Sequence, residues 1–428
     1  MHNRDEKQIL SLVLLNQLLW TAGYSLTTSG FLYYFASDLG ANAWMIAVLH
    51  VIPETFGVLG LTSRLWIKQF RSRKKTFLWF SLVARAVSLL IPLFAFVQLG
   101  PENASLLWFF AAIIAVVHIC QAVAYLAYIS WLSDLVNNKH WGQFFAWRNI
   151  AKICVLLVVP VSGGFLRDWW KQNSAPSVAM WAYVATYLVG TILMVCSLWP
   201  MLRLSAVPVK FVSAVKQTQA RGLRGWYHHR SLLFLYIHNW WLAFFNGLTQ
   251  SVFFSFLFGS LHISLGWFYV LLSIMRVVKL PVSYYSGKYC DHNKDKQILM
   301  FSLLGASSGL LFWMMATPAQ PLWVAGGYAA WGLFAAANIS GRNLLLKLAP
   351  SSDNATELAL FRQVGGMLAG LSGLLGGFLL QRMLNANSQW ELYTIQVTPF
   401  QLLFAISLLG RYLALLWLIP VRESRSPQ

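Results

Sequence analysis

Twelve predominantly apolar runs follow one another along the chain. They lie at 9–36, 43–64, 76–98, 105–133, 147–166, 177–202, 231–259, 264–286, 297–316, 321–346, 357–381 and 398–420, and are called spans 1 to 12 here. Each reaches the roughly 20 residues that a helix needs to cross a hydrocarbon core of about 30 Å. Lipid offers the backbone no hydrogen-bond partner, so a helix must satisfy its own amides. A closed barrel would instead show alternating segments of about 10 residues, and the sequence has none. Only 11% of the side chains are charged, against a mean hydropathy of +0.58. The sequence therefore predicts an all-α membrane protein.

The basic residues supply a topology. Loops after even-numbered spans hold Arg64, Lys68, Arg71, Arg73, Lys74 and Lys75, then Lys139, then Arg203 through Arg230, then Lys288, Lys294 and Lys296, then Arg342 and Lys347. Loops after odd-numbered spans hold Arg167, Lys171 and Arg382. The positive-inside rule predicts that both termini and every even loop are cytoplasmic. The net charge of +19 is thus a topology signal that also suits anionic lipid. It is spread over short loops, which argues against a nucleic-acid partner. Cys120, Cys154, Cys196 and Cys290 fit no metal-binding spacing and read as free, buried thiols. The first apolar run is too long for a signal peptide and lacks a cleavage site. No cofactor signature is legible, and the chain reads as a monomer.

The chain also repeats itself. The basic loop 204–230 separates a unit at 1–203 from one at 231–428. A shift of 223 places Asn16 on Asn239, Phe31 on Phe254, Phe35 on Phe258 and Trp44 on Trp267. A shift of 214 places Arg148 on Arg362, and one of 213 places Gly163-Gly164-Phe165-Leu166 on Gly376-Gly377-Phe378-Leu379. Together these argue for a duplicated six-helix unit, a plan found among transporters. A short interfacial helix is expected near 209–220.

The loop 287–296, GKYCDHNKDK, has Gly287, then Asp291 four residues later, then Lys294 and Lys296. That pattern resembles the loop signature of the major facilitator superfamily. The resemblance extends to helix count, topology and duplication. It implies two pseudo-symmetric six-helix bundles and a gate in which Asp291 approaches the start of span 5 near Arg148. In the first half the equivalent loop has no acid. Lys68 takes the Asp position, and Asp353 and Glu357 at the start of span 11 are the matching carboxylates, so that gate contact is expected to be charge-inverted. Val159-Pro160-Val161-Ser162-Gly163-Gly164 is similar to a signature of the drug/proton antiporter branch, with Val159 where that branch has Gly. Close helix packing explains the same string.

Ionisable groups at mid-span are expensive and usually functional. Glu54, after Pro53 in span 2, is the one deep carboxylate and the candidate for proton coupling. Arg276 and Lys279 share a face of span 8, and Arg85 lies within span 3. The two span 8 cations have two readings: an anionic solute site, or structural pairing with Glu54, carbonyls or water. Span 4 carries His118, Gln121, Tyr125 and Tyr128 at steps of 3, 4 and 3. Span 7 carries Asn239, Asn246 and Gln250, span 10 carries Tyr328, Trp331 and Asn338, and span 1 carries Tyr24 and Thr28. The resemblance implies that spans 1, 4, 7 and 10 line a central cavity, so these stripes are the candidate solute site. Interhelical hydrogen bonding is the structural alternative.

The expected function is secondary transport of a small organic solute, anionic by the span 8 reading, through alternating access coupled to an ion or proton. Drug/proton efflux is the alternative. An enzyme built on His118 finds no nucleophile or metal cluster beside it, and no GxxxxGK[ST] motif is present. Short loops and tails point to a bacterial inner (plasma) membrane.

Overall fold

The computed structural model describes residues 2–96, 104–135, 141–206, 230–290, 294–348, 354–386, 390–392 and 395–422. Among the described residues, eleven helices are long and apolar enough to cross a membrane, from Lys7–Asp38 to Pro399–Leu416. Span 10 is the twelfth. It runs as Trp323–Trp331 and Phe334–Leu348 with a break at Gly332 and Leu333, so neither piece reaches full length. The strands Trp390–Leu392 and Ile395–Val397 pair as an antiparallel hairpin before span 12. Thr398 then caps the helix Pro399–Leu416, its hydroxyl accepting from the Gln401 amide.

The chain divides into two compact units. One is Met1–Val212 with Ser264–Val270, and the other is Ser213–Ile263 with Leu271–Gln428. Within the first unit, span 3 packs on span 4, and span 1 packs on spans 5 and 6. Within the second, span 9 packs on span 10, and span 7 packs on spans 11 and 12. Adding six to each span number converts one scheme into the other. The cores agree with this. Val13, Phe77, Tyr128, Trp131 and Met201 from spans 1, 3, 4 and 6 form one. Leu235, Leu303, Leu345 and Leu418 from spans 7, 9, 10 and 12 form the other. Large apolar side chains left on the outside, such as Val158, Phe301 and Leu409, suit lipid contact.

The ends of the bundles repeat as well. Lys74 Nζ donates to the carbonyls of Leu202 and Leu204, at 2.8 and 2.7 Å. Lys296 Nζ donates to those of Ile419 and Val421, both at 2.8 Å. Each lysine begins the third helix of its unit and caps the last, where the final carbonyls have no helical partner. Span 8 departs from the symmetry. Its counterpart, span 2, packs along span 4, whereas among the described residues span 8 lies closely along no other helix.

Span 1 is broken in a way the apolar pattern conceals. The helix His2–Thr27 stops, Ser29 takes φ 55°, and a second helix runs Gly30–Asp38. The break frees backbone groups that lipid could not satisfy. Tyr269, in the segment 264–270 of the same unit, meets that need. Its hydroxyl accepts from the Phe31 amide at 3.2 Å and donates to the Ser25 carbonyl at 3.4 Å. Gly30 sits against Phe268, which a Cβ would strike at 2.7 Å.

The cysteines are all free, but Cys154 and Cys196 are exposed rather than buried. The expected interfacial helix at 209–220 lies outside the described residues.

Candidate functional site

The first unit contains a cavity of about 390 Å³. Four helix faces and one methionine build it. Span 1 contributes Asn16, Gln17 and Trp20, and span 3 contributes Phe77, Ser81, Ala84 and Arg85. Span 4 adds Gln121, Ala124, Tyr125 and Tyr128, span 5 adds Arg148, Asn149 and Lys152, and span 6 adds Met194. Within each span the lining residues follow one another at steps of 1, 3 or 4, which holds each set on one face.

Hydrogen bonds tie these faces together. Asn16 donates through Nδ2 to the Ser197 carbonyl at 2.7 Å, and Tyr128 donates to Asn16 Oδ1 at 3.1 Å. Arg148 Nη2 donates to Gln17 Oε1 at 2.8 Å, and its guanidinium lies 5.3 Å from the Tyr128 ring centre. Gln17 in turn donates to Thr21 at 2.8 Å. Arg85 Nη2 donates to Ser197 Oγ at 3.3 Å. Arg85 is 5% exposed, and its Nη1 has no partner among the described residues. The lining thus carries Arg85, Arg148 and Lys152, and no described lining residue is acidic. Arg85 is buried, Arg148 half-buried and Lys152 exposed, and cations gathered on one wall create a positive potential that attracts anions.

The cavity gathers Gln121, Tyr125, Tyr128 and Arg148 from the predicted residues. Tyr24 stacks on the lining Trp20 at 4.8 Å, and Thr28 donates to the Tyr24 carbonyl at 2.6 Å. His118 is buried in the same helix as Gln121 but does not line the cavity. Glu54 is exposed on the first unit, close enough to Tyr24 and Tyr33 to act on them electrostatically. Protein burial therefore does not surround it. In the second unit, Arg276 and Lys279 are half-buried, and Arg276 acts electrostatically on the buried Tyr328. Asn246 and Gln250 are half-buried, and Asn246 Oδ1 has no partner among the described residues. Trp331 stacks on Trp313 at 5.0 Å, its Nε1 likewise without a partner there, and Asn338 is exposed.

The gating predictions fall mostly on undescribed positions. Asp291 and Asp353 lie outside the described residues, as does the Glu357 side chain. Arg148 is engaged with Gln17 inside its own unit, and Lys68 is exposed on the short helix Ser63–Phe70. A nearby carboxylate is nonetheless used. Asp295, fully buried, pairs with Lys347 at 2.6 Å.

Two cavity cations were within reach of the sequence. Arg148 and Lys152 sit four apart inside an apolar run, a one-face pattern. Reading Arg148 as a gate residue hid that pairing. Arg85 was visible as an intramembrane charge, but its direction depends on how span 3 packs against span 4. A second buried arginine, Arg411 in span 12, bonds Thr249 and Ser407 at 3.0 and 3.1 Å.

The first unit also explains its odd-loop cations. Asp38 accepts from Lys171 at 2.8 Å and from the Tyr183 hydroxyl at 2.7 Å, and it pairs with Arg167. Arg167 also bonds Asp168 at 2.9 Å and Tyr183. Asp168 accepts from the Gly266 amide at 2.8 Å.

Comparison with known proteins places the chain. A family model described as Major Facilitator Superfamily matches residues 10–374. The structure is similar to the crystal structure of a mutant of the nucleoside transporter NupG, with a TM-score of 0.68 and 15% identity over 97% of this chain and 99% of that one. It is similar to a D-xylose-proton symporter, with a TM-score of 0.67 and 14% identity over 97% and 98%. A bacterial homologue of the iron transporter ferroportin gives a TM-score of 0.65 and 15% identity over 97% and 99%. No curated protein matches the sequence. The twelve spans, the duplicated packing and the match over most of the length agree: the chain belongs to the Major Facilitator Superfamily.

Proposed function

We propose that the protein is a secondary carrier that moves a small organic anion across the membrane by alternating access. The observation that carries this reading is the cavity of the first unit, where Arg85, Arg148 and Lys152 meet amide and aromatic side chains and no described acid. Structural neighbours include a nucleoside transporter, a D-xylose-proton symporter and a homologue of an iron transporter, so the fold leaves the solute to the chemistry of the site. Cations and aromatic faces suit an organic anion and repel a metal cation. Arg276 and Lys279 are proposed as anion-binding groups of the second unit. Tyr24, Thr28, Gln121 and Tyr125 supply directed hydrogen bonds and ring faces. Trp331, Asn246 and Gln250 do the same in the second unit.

Glu54 is proposed as the coupling carboxylate, since its neighbours are tyrosines and span 2 carries no other acid. The charge pattern supports cytoplasmic termini, and the short loops support an inner-membrane setting. Drug efflux gains no support from span 5, whose glycines serve packing. A Cβ on Gly163 would strike Leu26 at 2.7 Å, and one on Gly164 would strike Gly266 at 2.9 Å.

The test is thermal stabilisation of the detergent-purified protein across organic anions, nucleosides, sugars, amino acids and hydrophobic cations. A ligand that binds only the folded state raises its apparent stability. Stabilisation by organic anions, lost in Arg148→Gln, is the expected outcome. Stabilisation by hydrophobic cations alone would replace this reading with the efflux one.

A further inference from the structure

We infer that the first unit's cavity takes an aromatic solute bearing a single carboxylate, and that Arg85 is the group that anchors it. This rests on the carrier reading and narrows it to a substrate class.

Arg85 is the one lining cation whose charge goes unanswered. It lies near the middle of span 3 and is 5% exposed. Its Nη2 donates to Ser197 Oγ, a neutral acceptor, at 3.3 Å, and its Nη1 is buried without a partner among the described residues. None of the ion pairs among the described residues includes it. A guanidinium keeps its proton inside proteins, so the charge persists away from water. Holding a buried charge unpaired is costly, and a ligand that brings the counter-charge relieves that cost. The other two lining cations differ. Arg148 already holds Gln17 Oε1 and the Tyr128 ring, and Lys152 is exposed. One unmet charge matches a monoanion.

The duplication supplies an internal control. A shift of 222, which carries Lys74 onto Lys296, places Arg85 on Ser307, and the shift of 223 places it on Ser308. Span 9 packs on span 10 with a serine there, as span 3 packs on span 4 with the arginine. The shared packing scheme therefore does not require a guanidinium at this position. Arg411, the second unit's buried arginine, lies in span 12 and places both Nε and Nη2 on hydroxyls. Arg85 has one such bond and a nitrogen to spare.

The rest of the wall fits the solute. Ser81, one turn before Arg85, borders the same cavity, so a hydroxyl donor shares its helix face. A guanidinium with one nitrogen pinned and another idle suits the paired oxygens of a carboxylate. Trp20, Tyr125 and Tyr128 border the cavity as well, and aromatic faces hold a planar ring by offset or edge-on stacking. A volume of about 390 Å³ is small for a ligand site and accommodates one or two fused rings with their carboxylate.

Calorimetric titration of the purified protein in detergent tests this with benzoate, naphthalene-2-carboxylate, benzyl alcohol and phthalate. The tighter of the two monocarboxylates is expected to bind at least about tenfold more tightly than benzyl alcohol, as one charge-assisted hydrogen bond would give. The second carboxylate of phthalate is expected to give no gain over benzoate. Arg85→Met should abolish the preference for carboxylate over alcohol. Its unliganded melting temperature should equal or exceed that of the wild type, because an apolar chain replaces an unpaired buried charge. A merely structural arginine would give the opposite, a lower melting temperature with the preference intact. In the wild type alone, equal binding of the monocarboxylates and benzyl alcohol would overturn the inference. So would phthalate binding about tenfold tighter than benzoate, a carboxylate preference that survives in Arg85→Met, or a variant that melts below the wild type. The carrier reading fails separately. Carboxylate binding that depends on Arg85, with no solute counterflow in proteoliposomes, would refute transport and leave the site intact. Counterflow of another solute class, with no carboxylate preference, would do the reverse.

Discussion

Arg167 is the residue whose loss should be felt most in the first unit. It is 5% exposed and holds both Asp38 and Asp168, themselves 12% and 8% exposed. Replacing it by Ala leaves Asp38 with Lys171 and Tyr183 and Asp168 with the Gly266 amide alone, and breaking a buried pair in this way costs about 3–5 kcal/mol. Unfolding of Arg167→Ala in detergent should show a loss of that size. Arg167→Lys should recover part of it, since Lys cannot reproduce the planar fork. The sequence displayed Arg167 and Lys171 as exceptions to the charge rule, but their partner Asp38 is 129 and 133 residues away. No local pattern announces such a pair. The same limit applies to Arg85, legible as an intramembrane charge and illegible as a cavity wall. Arg148 and Lys152 are the contrary case, because their spacing of four is a local pattern, although the gate reading of Arg148 concealed it.

At the scale of helices, glycines mark where backbones touch. A Cβ on Gly23 would meet the Gly190 carbonyl oxygen at 2.3 Å, joining spans 1 and 6. One on Gly376 would meet the Leu248 carbonyl oxygen at 1.8 Å, joining spans 7 and 11. Backbone cannot rotate away as a side chain can, so Gly23→Ala and Gly376→Ala should each cost about 1–3 kcal/mol or more. Gly287 is the control. It begins the loop signature that carried the family resemblance, yet it is helical and an added Cβ would meet nothing within 4 Å. Gly287→Ala should leave stability unchanged or raise it by up to about 1 kcal/mol. Thermal melts of the three variants side by side check the contrast. Hydropathy located each span because lipid imposes one simple rule on every backbone. It could not locate the breaks at Ser29 and Gly332, where neighbouring side chains and loop geometry override the apolar pattern.

For the molecule as a whole, duplication was legible in scattered matches and became coherent only in packing. The shift of 223 places Arg73, not Lys74, on Lys296, so the shared role of Lys74 and Lys296 as caps of spans 6 and 12 needed coordinates. Two caps that share no partner should act independently. Lys74→Met and Lys296→Met should each cost about 0.5–1 kcal/mol, and the double variant should lose their sum in detergent unfolding. The most direct test of the whole account is solute counterflow in proteoliposomes, using an organic anion that stabilises the purified protein, for the wild type and Arg148→Gln. Saturable counterflow is predicted in the wild type, with uptake at low solute concentration lowered by about tenfold in the variant. Counterflow that Arg148→Gln leaves unchanged would contradict an anion path through the first unit's cavity.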